Sequence, residues 1–508
     1  MPRSSRRLVQ ALAGLVALVS LMSCSGSDRG SPDGTPAGTP AHSSSPLQQP
    51  GLSQAGLRLA DSVTGQHLGE QLRDLERLTL TAGGHRGPGS AGFEAVAAWV
   101  EQQLDDTGFY DVYREPFTIQ VPHPGESTMV DDSGAVVNQV PLSFSPGTGA
   151  DGLTGRLVLP AEGDGCRATD WGAEVAAQIG LVKRGGCSFR QLNEVAAAAG
   201  AAALVVSNDR PGGLYGTLDH TGPGDIPMTG VTLTQGDRLR SALGSGQLVL
   251  SFTFEQRIES FETFNLFAET RSGNPGNVVM AGAHLDSVPE GPGVNDNGSG
   301  SVILLETALQ LAAQPQPPSQ RVRFAWWSGE ELGLLGSLHW VNSAVADDPN
   351  RIRQLAAYLN VDMVASPNYV IGVYGPGDDA PMLGLLTGYF DAIGQPWIGT
   401  DMTGASDHEA FLPSGVPVSG LFTGAGQDKS AQETAIFGGT RGADHDPNYH
   451  RASDTFANLS EQALAINAKA SAYVIGALAD DTSPVNGGRL GNAGTPRPAT
   501  GFGYAGTI

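Results

Sequence analysis

Three things are scarce in this chain, and each scarcity narrows what it does. There are three cysteines in 508 residues, too few for a disulfide scaffold and unable to supply a four-thiolate zinc site. Positive charge is sparse: 29 Lys and Arg face 52 Asp and Glu, for a formal charge of −23. Phosphate binding needs a basic face, so this balance argues against nucleic acid as the main partner. Beyond the N-terminus no stretch approaches the ~20 apolar residues of a membrane span. The longest, VAAAAGAAALVV from Val195 to Val206, is too short and reads as a core helix running into a strand. What is present is an ordinary core-forming composition, 40% hydrophobic and 16% charged, on a chain long enough for two or three domains. The 70 Gly and 33 Pro imply long loops or low-complexity ends. They show no Gly-X-Y period, which excludes collagen.

The N-terminus reads as a targeting segment. Arg3, Arg6 and Arg7 precede an apolar run from Leu8 to Leu21, the layout of a secretory signal over residues 1–23. The run ends Leu21-Met22-Ser23-Cys24, which resembles a bacterial lipobox. That resemblance implies cleavage before Cys24, lipidation of its thiol, and export to the outer face of the cell membrane, held by the lipid anchor alone. Two cysteines then remain, Cys166 and Cys187. In an oxidising compartment that even number reads as a single disulfide.

Residues 24–60, rich in Ser, Gly, Pro and Gln, read as a flexible tether. Apolar residues at spacings of three and four from Gln66 predict one helix. A second is predicted from Ser90, its cap, with Phe93, Val96, Val100 and Leu104 on the buried stripe. Tyr113 to Val121 reads as a strand, and 61–124 as the first part of one domain. From 125 to 256 short apolar runs alternate with Gly and Pro, the pattern of a small β-rich domain. Strand and helix patterns alternate over 257–483, with strands at Asn277–Ala283, Arg321–Trp327 and Leu355–Val361 and helices at Ser299–Ala312 and Leu332–Ser343. The fold class is therefore α/β, a central sheet flanked by helices. The Gly-rich stretch 484–508 reads as a disordered tail.

Five polar clusters fall at predicted strand ends, where open α/β sheets build their sites. They are AHLD at 283–286, VNDNG at 294–298, SGEE at 328–331, NVDM at 360–363 and NYH at 448–450. Each alone has an ordinary explanation: Asn-Gly is a turn, and Glu330-Glu331 complements a helix N-terminus. Together they offer two His and three carboxylates, a donor set that suits zinc. Two zinc ions carry +4; Asp296, Glu331 and Asp362 supply −3, and one bridging hydroxide completes neutrality. Glu330 is left uncommitted, as a general base requires.

The motifs AGAHLDS, GVNDNGSG, WWSGEELGLLGS, LNVDM and YHRASDT, in that order, resemble the M28-type zinc aminopeptidases, and with the lipobox the lipoprotein members of actinobacteria. IGLVKRGGCSF at 179–189 resembles the protease-associated (PA) domain often inserted in peptidases, which supports a Cys166–Cys187 pairing. The resemblance implies a zinc-exopeptidase fold with a mixed sheet and two Zn²⁺ per chain. His284 and Asp362 would hold one ion, Glu331 and His450 the other, and Asp296 would bridge them. Glu330 would act as general base on a zinc-bound water, Asp286 would orient a neighbouring group, and Tyr449 would donate to the developing oxyanion. The implied substrates are peptides with free N-termini, cleaved by a monomer. Ala405 stands in GASDHEAF where many members carry Arg. His445 is a rival to His450 without the Tyr-His-x-x-x-Asp context, and His408 reads as a wall residue. Three alternatives stay open: a one-zinc glutaminyl cyclase, a catalytically dead binding module, and a carboxypeptidase.

Overall fold

The computed structural model describes residues 51–499 except 219, 245, 378, 379, 403 and 493. The signal segment, the lipobox and Cys24 lie outside the described residues. The strands are β1 (Tyr110–Asp131), β2 (Gln139–Pro141), β3 (Leu153–Val158), β4 (Ile179–Lys183), β5 (Ala203–Ser207), β6 (Met228–Val231), β7 (Val249–Thr270), β8 (Asn274–His284), β9 (Gln320–Trp327), β10 (Leu355–Val361), β11 (Gly372–Tyr374), β12 (Ile398–Gly399) and β13 (Val418–Phe422). They join in the order β12-β11-β13-β10-β8-β9-β7-β3-β4-β5-β6-β2, with β1 on the other side of β7.

At the centre β9, β8, β10 and β13 run parallel, with β7 antiparallel to β9 and β11 antiparallel to β13. Parallel strands need cover on both faces, and their sequences are accordingly apolar throughout. On one face the helices Gly65–Thr81, Gly300–Ala312 and Glu461–Asp480 bury Leu68, Leu72, Ile303 and Val474 against Val279, Ala281 and Leu359. On the other face the helix Leu335–Asp347 and Phe411 close over Val278, Met280, Trp327 and Tyr358. Trp326 and Trp327 are both fully buried.

Residues between the two long strands form a second sheet, β3-β4-β5-β6 parallel with β2 antiparallel at its edge. It carries the helices Phe189–Ala198 and Leu233–Leu243. The run 195–206 divides into the end of the first of these helices and β5, as its composition predicts. β1 and β7 are paired from Tyr110↔Thr270 to Asp131↔Leu250, with one irregularity between Pro124 and Ser127. The expected domain limits near 125 and 256 thus fall inside one continuous two-stranded ribbon.

Cys166 and Cys187 are disulfide-bonded in this second sheet region. Closing a loop of 21 residues contributes ~3 kcal/mol by chain entropy. A Cys166→Ser/Cys187→Ser variant is therefore expected to lose about that much stability in denaturant unfolding while keeping its kcat. Unchanged unfolding would refute the contribution.

Three expectations need correction. The tether does not extend to residue 60: a helix spans Gln54–Ser62, capped by Ser53, with Leu59 and Ala60 buried. It packs so closely on the helix Glu461–Asp480 that a Cβ at Gly56 would meet the Tyr473 carbonyl. The tail is not free from residue 484. The Gly491 N–H donates to Asn277 Oδ1, Asn492 to Ile352 and Arg353, and Ala499 to Asn342. Third, the helix expected from Leu332 starts at Leu335, because Gly333 and Leu334 are left-handed.

Candidate metal centre

The five clusters meet at one end of the sheet. His284 is the last residue of β8, and the helix Gly300–Ala312 is fixed behind it by Ser301 Oγ donating to the His284 carbonyl. Asp362 follows β10 directly, and Glu330 and Glu331 sit in the irregular turn after β9. Asp296 lies in a turn just before that helix, and His450 in the long loop before the helix Glu461–Asp480.

His284 Nδ1 lies 3.1 Å from the Asp286 carbonyl. An acceptor there holds the ring proton on Nδ1 and leaves the Nε2 lone pair facing the cluster. Nε2 is 3.3 Å from Asp296 Oδ1, 3.4 Å from Asp362 Oδ1 and 3.9 Å from Glu330 Oε2. His450 Nε2 is 3.2 Å from Asp296 Oδ2 and 3.1 Å from Glu331 Oε2. Asp296 therefore turns one oxygen to each histidine.

The donor set fits zinc. His284, Glu330 and Asp362 offer ligand atoms within 4.8 Å of one another, as do His284, Asp296 and Glu331. Asp362 Oδ1 and Glu331 Oε1 are buried and accept no hydrogen bond, the state of an oxygen reserved for a cation. Four crowded carboxylates also need positive charge to offset their burial. The titrations reflect that need. Burial raises Glu330 well above the usual carboxylate range; His284 opposes the shift, and Asp362 and Glu331 add to it. Burial pulls His284 down, but Glu330, Asp362 and Asp296 outweigh it and leave it well raised. Burial also raises Tyr449, whose ring stacks on His450 at 3.8 Å, and the nearby Asp296 and Glu331 raise it further.

Asp286 lies two residues past His284, beyond the end of β8, so strand alternation does not set its direction. Its Oδ1 and Oδ2 accept the N–H groups of Glu330 and Glu331, at 3.2 and 3.3 Å. The group it orients is thus the turn that carries both glutamates. His445 sits apart, its Nε2 3.5 Å from Glu433, and His408 faces Glu409 and the Tyr374 ring.

Several supporting residues escaped the sequence reading. Asp454 accepts from the N–H groups of Asn295 and Asp296, at 2.7 and 3.0 Å; its place in YHRASDT was the available signal. Ser406 Oγ donates to Asp362 Oδ2 at 2.6 Å, and buried Asp407 accepts from Ser337 at 2.6 Å. Both stand in GASDHEAF, beside Ala405. Fully buried Arg86 donates to the carbonyls of Leu285, Pro292 and Gly293, gripping the loop between His284 and Asp296. Nothing in the sequence signals that grip.

Comparison with known proteins agrees with this geometry. The profile of peptidase family M28 matches residues 265–475, and that of the PA domain matches 153–239. Leucine aminopeptidase 2 of Trichophyton rubrum is 37% identical over 397 residues, covering 76% of this chain and 78% of that one. The probable lipoprotein aminopeptidase LpqL of Mycobacterium tuberculosis is 36% identical over 457 residues, covering 86% and 89%. The aminopeptidase from Aneurinibacillus sp. strain AM-1 shares the fold, with a TM-score of 0.58 at 21% identity, covering 88% of this chain and 98% of that chain. With over a third of the aligned residues identical along most of the length of such enzymes, the chain belongs to peptidase family M28 and is a zinc metalloexopeptidase with an inserted PA domain.

Proposed function

We propose that the protein is a two-zinc aminopeptidase that removes the N-terminal residue of peptides at the cell surface. The observation that carries the two-ion reading is the division of Asp296, with Oδ1 toward His284 and Oδ2 toward His450. His284 and Asp362 would hold one zinc, Glu331 and His450 the other, and Asp296 both. Bound zinc supplies Lewis acidity, which polarises the scissile carbonyl and acidifies water.

The chain's own groups do the rest. Glu330 takes the proton of the attacking water on its carboxylate and returns it to the leaving amine. Asp286 keeps Glu330 and Glu331 in place through their N–H groups. The Tyr449 hydroxyl, held neutral by burial and the surrounding carboxylates, donates to the developing oxyanion. The carboxylates offset the charge of the substrate's free ammonium.

A panel of aminoacyl p-nitroanilides and their N-acetylated counterparts, assayed with and without chelator, tests the reading. Cleavage of free-amine substrates alone, abolished by chelator, is expected. Equal cleavage of the acetylated set would overturn it.

For location, the lipobox around Cys24 and the printed name of the mycobacterial relative support a lipid anchor. Among the described residues no helix is long and apolar enough to cross a membrane. Cys24→Ala is expected to shift the protein from the membrane fraction to the soluble one or to block maturation. A wild-type protein that is wholly soluble and starts at another residue would refute the anchor.

A further inference from the structure

β7 leaves its partner β9 just where the catalytic turn begins. The ladder between them runs from Glu269↔Arg323 to Leu266↔Trp326. One residue on, β9 ends at Trp327 and the chain turns off through Ser328 and Gly329, which is left-handed at φ +80. At that point a side chain takes over from the backbone. Asn265, fully buried on β7, accepts the Ser328 N–H on Oδ1 at 3.1 Å and donates from Nδ2 to the Gly336 carbonyl at 2.9 Å. One donor partner and one acceptor partner leave the amide a single orientation. Both ends of the segment that carries Glu330 and Glu331 are thus tied to one residue. Thr263, two positions along β7, adds a hydroxyl contact to Ser328 at 2.7 Å. The approach is close: a Cβ on Gly336 would lie 2.4 Å from Asn265 Oδ1 and 2.4 Å from the Ser328 carbonyl.

We infer that Asn265 is a positioning residue for the peptidase reaction, fixing the Ser328–Gly336 turn so that Glu330 and Glu331 stay aimed at the centre. The inference rests on the roles proposed above for those two glutamates. Asp286 holds the middle of the turn by the N–H groups of Glu330 and Glu331, and Asn265 holds its ends. The other end of β7, Val249 to Phe252, pairs with β3 of the inserted domain. The strand that carries the PA domain therefore also braces the catalytic turn.

Asn265→Ala, Asn265→Asp and Gly336→Ala test this in the full chain. The readouts are kcat and KM for leucine p-nitroanilide at saturating zinc, zinc per chain by elemental analysis, and melting temperature. A displacement of ~1 Å at a catalytic group costs ~10²-fold. Asn265→Ala is accordingly expected to lose ~10–100-fold in kcat with KM within ~3-fold and zinc content at the wild-type level. Asn265→Asp keeps an oxygen for Ser328 N–H but has no donor for Gly336, and its kcat should fall between. Gly336→Ala attacks the same contact from the other side and should lower kcat if Asn265→Ala does not fold. A kcat within ~2-fold of wild type in folded Asn265→Ala, or in Gly336→Ala where Asn265→Ala does not fold, overturns the inference. Glu330→Gln is measured alongside: if it is inactive while Asn265→Ala is not, only the role of Asn265 fails. If Glu330→Gln itself keeps near-full kcat, the base assignment fails first.

Discussion

Glu330→Gln is expected to keep its zinc and lose its kcat, whereas the neighbouring Glu331→Gln loses zinc. The two carboxylates are adjacent in sequence, both only part-buried in the cluster, and both held by Asp286 through their N–H groups. Their side chains point to different partners. Glu331 Oε2 is 3.1 Å from His450 Nε2, and its Oε1 is buried without a hydrogen-bond partner, as suits a ligand. Glu330 Oε2 stands farther off, 3.9 Å from His284 Nε2. The amide in Glu330→Gln keeps the shape and cannot accept a proton. Removing a general base costs ~10²–10⁴-fold, and more where the nucleophile depends on that one acceptor. The loss should fall on kcat with little change in KM. Glu330 is close enough to His284 and Asp362 to complete a ligand group with them, so elemental analysis is as important as kinetics. Zinc lost from Glu330→Gln but kept in Glu331→Gln would reverse the two roles.

Stripping the metal should abolish activity and leave a protein that is less stable as pH rises. Burial raises carboxyls of the metal-free site above their unfolded values: Asp454 to about 8, Glu331 and Asp407 to about 7, Glu330 well above the usual range, and Asp286 as well. The folded state then binds protons more tightly than the unfolded chain. The stability these groups contribute is present near pH 4 and lost as pH rises toward 8. Burial lowers His450, but Asp296 and Glu331 outweigh it and raise the ring to about 10. Its contribution is complete below its unfolded value of ~6.5 and is lost as pH rises through 10. These carboxyls and His450 all act in the same direction. Asp296, held below the usual range by His284 and His450 against its burial, acts oppositely, but only below about pH 4. The chelated protein should melt lower at pH 8.5 than at pH 5.5, and added zinc should recover most at the higher pH, where it displaces the fewest protons. Restoring activity by zinc titration should end at two ions per chain. An endpoint at one ion would favour the cyclase-like reading, and a pH-independent melting point of the chelated protein would refute the electrostatic account.

What was legible in the sequence was chemistry close to the backbone pattern. His284, Asp286, Glu330, Glu331 and Asp362 could be found because each follows an apolar run that becomes β8, β9 or β10, and parallel strands bring such ends together. Asp296 and His450 follow no strand, against the strand-end placement expected of their clusters. Arg86, Asn265 and Asp407 were missed because the partners that give each its role are 63 to 207 residues away. No period or spacing encodes such a bond. The helix at Gln54 was missed for another reason: it is short, and composition averaged over the Ser-Gly-Pro tract hid Leu57 and Leu59. Gly491, Asn492 and Ala499 are held by backbone and amide hydrogen bonds, to which hydropathy is blind.

The paired strands β1 and β7 also have a consequence for the order of folding. Arg271 and Asp111, bonded at 2.8 Å near the open end of the ribbon, are 160 residues apart in the chain. Bringing them together from a random coil means closing a loop of that length, a slow event for a non-local pairing. At the other end Asp131 and Leu250 are partners, and the chain between them forms the inserted sheet. Once that sheet has folded, the remaining pairs can close in sequence like a zipper, each joining residues already adjacent. The last pairs to form lie beside β9 and complete the large sheet. The insertion thus turns a long-range search into a local one, and a variant that weakens it should slow the maturation of an enzyme whose active-site residues it never touches.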